Sequence, residues 1–320
     1  MMILKYLTLL TTLLLLNAYA IVGATKGSAD VAQGNFTYDL EIITPKGIAG
    51  LSPSLSLNYN SANTVNSIFG VGFSLSGLSS IAQCNETLFS EKADTSRDFN
   101  YCLDGSKLLL VNEAQEYGAD GTEYKTEVNS HSKIIKTQSG WLVYSKDGLI
   151  HEFGNTVDSN DGEVFYKINK ITDRYNNSID FIYASGESQR YIQQITYADN
   201  SIDFIYENRT DTRKLYARGV EASIDKRVKT ISVKTANEER SSYKLNYEYK
   251  NNFSRITDIQ ECVNGECLES VEFGWEGNVS SFDAVKSWLS DSNVNLSSWN
   301  LHAQDMNGDG LADLVQTYKG

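Results

Sequence analysis

The chain has 320 residues, four cysteines, only two prolines and a formal net charge of −13. That acidity disfavours nucleic acid and anionic membrane surfaces as partners, because basic patches supply the attraction there. Nineteen Tyr, twelve Phe and 23 Gly suit a β-rich protein with many turns.

The first twenty residues read as a secretory signal peptide rather than as part of the fold. Lys5 supplies a positive n-region, Tyr6 to Leu16 an apolar run, and Ala18-Tyr-Ala20 a small-residue cleavage site. The run is short for a membrane anchor, which is the alternative reading, and no later stretch approaches the length of a membrane helix. Cleavage would start the mature chain at about Ile21 and, by removing Lys5, move the charge from −13 to −14.

Downstream, strict alternation of apolar and polar residues predicts strands. Leu55-Ser-Leu57-Asn-Tyr59 and Phe73-Ser-Leu75 alternate. Trp141 to Tyr144 and Leu149 to Phe153 flank Ser-Lys-Asp147-Gly148, which predicts a hairpin turning at Asp-Gly. A short repeat follows: the heptapeptide Asn-Ser-Ile-Asp-Phe-Ile-Tyr begins at Asn177 and again at Asn200, preceded by Ile168-x-x-Ile171 and Ile192-x-x-Ile195 respectively. A degenerate third copy runs from Ile256 through Ile259 to Val271-Glu-Phe273. Each unit reads as strand, polar turn, strand, and a lone hairpin cannot bury its apolar face. Stacked hairpins build a continuous sheet.

The cysteines are Cys84, Cys102, Cys262 and Cys267, which allow three pairings. Asn264-Gly265 between the last two is the strongest short hairpin signal, so a disulfide across that hairpin is expected, leaving Cys84 with Cys102. Zinc is the rival reading, but the four-residue spacing occurs once and no histidine is near. Free thiols are the third possibility.

Ser, Asn, Asp and Val dominate from about Gly277 to Asn300, and this stretch reads as a linker. Beyond it, Asp305-Met-Asn307-Gly-Asp309-Gly310-Leu311-Ala-Asp313 has oxygen-bearing residues at alternate positions and a Gly for the sharp turn. Ca²⁺ takes 6–8 oxygens, and Asp305, Asn307, Asp309 and Asp313 would offer side chains while Leu311 offers its carbonyl. An EF-hand needs a bidentate Glu at the twelfth position, where this chain has Gln316. Leu-Ala-Asp-Leu-Val-Gln-Thr-Tyr follows as a strand, so the loop resembles the calcium turn of an FG-GAP propeller blade. A blade needs about four strands. The expectation is that the chain begins a propeller module at 301–320 and is a fragment or a truncated product.

Sequence signatures of catalysis are absent. There is no Gly-x-Ser-x-Gly, no His-Glu-x-x-His and no phosphate-binding Gly-rich loop. Of the three histidines, His151 reads as a polar-face strand residue. His302 neighbours the calcium loop, but histidine suits a hard cation poorly.

Several ordered motifs carry a family resemblance. They are Gly34-Asn-Phe-Thr-Tyr38, Pro45-Lys-Gly47 through Tyr59-Asn-Ser61, Phe69-Gly-Val-Gly72 through Gly77, Tyr101-Cys-Leu-Asp-Gly105 through Val111, Tyr117 through Tyr124, and Lys146 through Asn155. Over residues 30–276 the chain resembles the N-terminal domain shared by SpvB-type virulence proteins, the B components of insecticidal toxin complexes and many RHS/YD-repeat proteins. Ile171-Thr-Asp-Arg-Tyr-Asn-Asn177 with Tyr183 resembles a YD-type hairpin.

The resemblance implies an all-β fold of successive antiparallel hairpins in a large curved sheet or partial shell. With the signal peptide, linker and calcium loop read above, the chain divides as 1–20 signal peptide, 21–276 β domain, 277–300 linker and 301–320 propeller start. It implies a non-catalytic exported scaffold, with other toxin-complex subunits or a toxic C-terminal domain as partners. The ADP-ribosyltransferase of SpvB-type proteins resides in a separate domain with an Arg, a Ser-Thr-Ser strand and a Glu-x-Glu turn. Arg240-Ser-Ser242 is not followed by such a turn. The alternative reading is a secreted adhesion or carbohydrate-binding module.

Overall fold

The computed structural model describes residues 23–32, 34–84, 99–162, 164–184, 190–217, 220–275, 298–304 and 313–318. The chain divides into two units, Met1–Trp275 and Glu276–Gly320. The described residues are almost wholly β, and the one helical turn is the 3₁₀ segment Ile48–Gly50.

The larger unit contains a small sheet, a closed barrel and a long sheet. The small sheet is antiparallel, with Ser28–Ala32, Asn35–Ile42, Leu55–Asn60 and Phe73–Ser76 in that order. The barrel starts at Ser80–Cys84 and proceeds by neighbouring antiparallel pairs through Asn100–Leu103, Ser106–Leu110, Glu123–Thr126, Lys133–Lys136, Trp141–Tyr144 and Ile150–Phe153 to Phe165–Thr172. The last strand returns to the first, setting Phe165, Tyr166 and Lys167 opposite Ala82, Ile81 and Ser80. A barrel of eight strands is just wide enough to be filled by side chains. Ile81, Tyr101, Leu108, Tyr124, Ile134, Trp141, Phe153 and Tyr166 fill this one. The hairpins foreseen in the sequence are there, and closure of eight strands into a barrel adds to the expected large curved sheet or partial shell.

Strand Phe165–Thr172 is the fork between barrel and long sheet. Ile168 to Thr172 pair with Ile150–Phe153 along one edge. On the other edge Phe165 to Lys167 hold the barrel's first strand, whereas Lys170 to Thr172 pair with Ser178–Asp180. From there the sheet runs on through Ser178–Tyr183, Ile192–Tyr197, Asn200–Ala217, Val220–Thr235, Glu238–Lys250 and Phe253–Val263, ending in the short strands Glu266–Cys267 and Val271–Glu272.

One local device recurs across this sheet. Period-two alternation would send residues three apart to opposite faces, yet Ile192 and Ile195, Val228 and Ile231, and Ile256 and Ile259 are all buried. A β-bulge lies inside each pair, where one extra residue restores the facing. The registers jump from Gln194 to Ile192 opposite Ile182 and Tyr183, from Thr230 to Val228 opposite Ile205 and Tyr206, and from Asp258 to Ile256 opposite Asn246 and Tyr247. Ile168-x-x-Ile171 carries the same jump, from Lys170 to Ile168 opposite Glu152 and Phe153.

An aromatic residue later in the chain caps each bulge, from the next strand in three cases and from just beyond Val271–Glu272 in the fourth. Tyr183 Oη donates to the Ile168 carbonyl at 2.8 Å, Tyr206 Oη to Ile192 at 2.7 Å, Tyr247 Oη to Val228 at 2.6 Å, and Trp275 Nε1 to Ile256 at 2.7 Å. These aromatic donors satisfy buried carbonyls beside the bulges, where an unpaired group would cost about 1–3 kcal/mol. Burial raises the pKa of all three phenols and keeps them protonated as donors.

The small sheet covers the apolar face of the long one. Leu40, Ile42, Leu55, Leu57 and Phe73 join Tyr197, Ile231, Tyr243 and Ile259 in one continuous core. Polar ties fix the arrangement: the Ile43 amide donates to Tyr243 Oη at 3.0 Å, and Tyr197 Oη donates to the Pro45 carbonyl at 2.9 Å.

In the second unit, Trp299–Gln304 and Asp313–Tyr318 form an antiparallel pair with Gln304 opposite Asp313. Trp299 and Tyr318 meet edge to face at 5.2 Å.

Candidate functional site

The terminal hairpin places strands on both sides of the candidate calcium loop. Asp305, Asn307, Asp309 and Leu311 lie outside the described residues, as do the signal peptide and residues 277–297 of the linker. Asp313 opens the second strand. The last linker residues, Trp299 and Asn300, belong to the first strand of that hairpin. Beside the loop, His302 Nε2 lies 3.1 Å from Thr317 Oγ1.

Both disulfides join the expected partners, Cys84 with Cys102 and Cys262 with Cys267. The first links neighbouring barrel strands. The second closes the hairpin at the far end of the long sheet. Cys262 is buried and Cys267 is exposed, with Lys244 Nζ 3.6 Å from its sulfur.

A buried ionic cluster pins a hairpin onto the long sheet. The register of Asn200–Ala217 breaks between Asn208 and Arg213, and this break turns Arg209 and Asp211 inward. Their side chains are 0% and 3% exposed. Arg209 grips Asp211 with two bonds of 2.9 and 2.8 Å, and also donates to the Ser67 carbonyl at 2.7 Å and to Asn66 Oδ1 at 2.5 Å. Asp211 accepts further bonds from Asn66 Nδ2, Ser254 Oγ and the Ser254 amide at 2.8, 2.7 and 2.5 Å. Burial alone would raise the Asp211 pKa. The bonds from Arg209, Ser254 and Asn66 outweigh it and hold the carboxyl well below its usual range.

A cleft of about 480 Å³ adjoins this cluster, lined by Thr212, Arg213, Tyr249, Asn252 and Phe253. Tyr249 is 53% exposed and Phe253 38%. A larger cleft of about 590 Å³ opens at the fork, where Ile168, Ile171, Ile179 and Phe181 line it together with Ser79, Asp104 and His151.

His151 invites comparison with a nucleophile–base pair, because Ser145 Oγ lies 3.4 Å from its Nε2. The arrangement is that of a turn. The single Ser145 hydroxyl proton is shared between Asp147 and the Leu149 carbonyl, so the carboxylate sits on the serine and not on the imidazole it would need to orient. Burial keeps the imidazole pKa below its ordinary value.

An all-β scaffold emerges: a barrel packed with side chains, an array of bulged hairpins, and polar groups spent on pinning segments together. Its fold is that of Tc toxin chains and of the SpvB N-terminal domain. The chain aligns with the crystal structure of TcdB2-TccC3-TEV over 93% of its length and 18% of that chain, with a TM-score of 0.67 and 16% identity. It aligns with the structure of the Photorhabdus luminescens Tc holotoxin pore carrying the TccC3 D651A mutation over 92% of this chain and 18% of that one, with a TM-score of 0.64 and 16% identity. The N-terminal domain of effector protein SpvB from Salmonella typhimurium strain LT2 is matched over 70% of this chain and 99% of that domain, at a TM-score of 0.57 and 15% identity. The chain thus spans less than a fifth of the Tc toxin chains it matches. No protein-family model matches the chain, and no curated protein matches it in sequence.

Proposed function

We propose that this chain is an exported, non-catalytic scaffold segment of a Tc-like or RHS-like bacterial toxin. Its role is to form part of a β-shell that encloses or helps deliver a toxic C-terminal domain. The observation that carries this reading is the fold alignment over 92–93% of the chain with Tc toxin structures, together with a hairpin array that is extensible by its construction. The partners on this reading are other toxin-complex subunits or the toxic domain itself. The exposed Tyr249 and Phe253 beside Arg213 and Asn252 favour a second reading, carbohydrate binding.

One experiment separates the two. The exported chain is immobilised and offered Tc-type C-component chains and, separately, a glycan array. Retention of a C-component in a salt-resistant complex supports the scaffold reading. Glycan binding abolished by Tyr249→Ala, without capture of any toxin chain, replaces it with the second.

Calcium at Asp305, Asn307, Asp309, Leu311 and Asp313 belongs to the same proposal, since the paired flanking strands give such a loop its two anchors. A ligand that binds only the folded state stabilises by mass action, about 2.7 kcal/mol at a hundredfold excess over Kd. Saturating Ca²⁺ is therefore expected to raise the melting temperature of the terminal unit in the full chain, EDTA to reverse the rise, and Asp309→Ala to remove it. A melting curve indifferent to both additions would count against the metal site.

A further inference from the structure

We propose that the Cys262–Cys267 disulfide is a thiol-exchange site whose reduction loosens a clasp at the end of the long sheet. The bond closes the hairpin that turns the chain back on strand Phe253–Val263. The segment after the turn is the last to cover that strand among the described residues: Leu268 N donates to the Glu261 carbonyl at 2.8 Å, Val271 and Glu272 pair with Ile259 and Asp258, and the Phe273 amide donates to the Thr257 carbonyl at 2.8 Å. It also grips the start of the fold. The Thr25 amide donates to the Glu269 carbonyl at 2.9 Å, the Glu269 amide to the Gly23 carbonyl at 3.2 Å, and the Glu261 amide to Thr25 Oγ1 at 2.9 Å.

At its far end the segment seals the small sheet. Phe273 meets Tyr38 and Phe73 edge to face at 5.3 and 5.2 Å, and Trp275 meets Tyr59 at 5.6 Å. The disulfide is therefore joined through one short stretch of chain to both borders of the core.

The two sulfurs differ in a way that directs the chemistry. Cys267 is exposed and Cys262 is 2% exposed, so an external thiolate reaches Cys267. Its sulfur forms a new S–S bond to Cys267 Sγ while the Cys262–Cys267 bond breaks, and Cys262 leaves as a thiolate that takes up a proton. A second thiol attacks the mixed disulfide, releasing Cys267 and a disulfide of the reagent; two thiols are oxidised and one cystine is reduced. The Lys244 ammonium, 3.6 Å from Cys267 Sγ, attracts an anionic thiolate and stabilises the departing Cys267 thiolate in the second step. The reductant class is a low-molecular-weight monothiol such as glutathione. This proposal is independent of the shell reading.

The test uses the full exported chain in native buffer, titrated with reduced glutathione, with each cysteine pair followed by alkylation and mass spectrometry. Cys262 and Cys267 should be labelled while the rest of the chain stays folded, and ahead of Cys84 and Cys102 by about tenfold in rate. Opening of the hairpin tie should speed hydrogen exchange across 266–275 by about 30- to 40-fold, from the loop-closure relation for so short a ring. Lys244→Gln should slow the reaction about two- to fivefold with glutathione, and by less with mercaptoethanol, which also attacks as a thiolate but carries no further negative charge. Cysteines that react only after global unfolding, or exchange in 266–275 that is the same in oxidised and reduced protein, would overturn the proposal.

Discussion

Replacing Asp211 with alanine is expected to destabilise the larger unit by about 3–5 kcal/mol, the usual cost of removing one partner of a buried ion pair. Arg209, 0% exposed, would keep its charge without its counterion. Its guanidinium would lose both bonds to Asp211 and keep those to the Ser67 carbonyl and Asn66 Oδ1. Ser254 would lose acceptors for both its hydroxyl and its amide. The damage should centre on the hairpin Asn66–Val71, which the cluster holds against the long sheet, so hydrogen exchange at the Val228 amide, bonded to the Ile68 carbonyl at 2.9 Å, should accelerate with it. Arg209→Ala in the same chain should recover part of the loss, because it removes the stranded charge.

The pH dependence carries a definite sign. The folded-state pKa of Asp211 lies below its ordinary value, so its stabilisation is complete above the unfolded value of about 3.9. It disappears as pH falls from there through the lowered folded value. Acid unfolding of the native chain should show this limb below about pH 4, and the alanine variant should lack it. Equal acid limbs in the two proteins would mean that the carboxylate is not held as the structure has it.

What could be read in the sequence follows from range. The hairpins were legible because turn and strand signals are local: Asp147-Gly148 and Asn264-Gly265 both mark turns with a positive-φ residue in place. Heptapeptides at Asn177 and Asn200 alternate, and the structure buries Ile179, Phe181, Tyr183 and Ile202, Phe204 on one face while Ile182 and Ile205 stay 40% and 49% exposed on the other. Barrel closure was not legible, because the pairing of Phe165–Lys167 with Ser80–Ala82 spans most of the barrel sequence and leaves no local mark.

The repeat is also longer than its sequence likeness. A further copy, Val228-x-x-Ile231 with Tyr247, has the same bulge and the same phenol-to-carbonyl bond. It went unseen because the long arms of strands 200–217 and 220–235 interrupt the spacing. Val or Ile three residues before Ile within a strand, with an aromatic donor in the chain that follows, is the signal that would have found it. Arg209 and Asp211 were hidden differently: amid Glu207-Asn-Arg-Thr-Asp-Thr-Arg-Lys214 they resemble a solvated turn, and only the register break carries them inside.

Trp141→Ala is expected to cost about 3–5 kcal/mol, as for other large aromatic truncations in a core, and to act on the barrel as a whole. Trp141 is 0% exposed. Its ring lies edge-on to Tyr101 at 4.8 Å, Tyr124 at 5.2 Å and Tyr166 at 6.2 Å, with Lys136 Nζ 5.6 Å from its centre. Those three tyrosines come from strands Asn100–Leu103, Glu123–Thr126 and Phe165–Thr172, so one side chain holds the closing strand to two strands on the opposite side of the sequence. The Trp141 indole N–H finds no acceptor among the described residues, which assigns the residue's value to volume and ring contacts. Trp141→Phe should therefore cost less than alanine, because it keeps an aromatic ring and leaves a smaller cavity. Urea unfolding of both variants, followed by near-ultraviolet circular dichroism, measures the difference. Phenylalanine as costly as alanine would show that the indole N–H, and not the ring's volume and contacts, carries the residue's contribution.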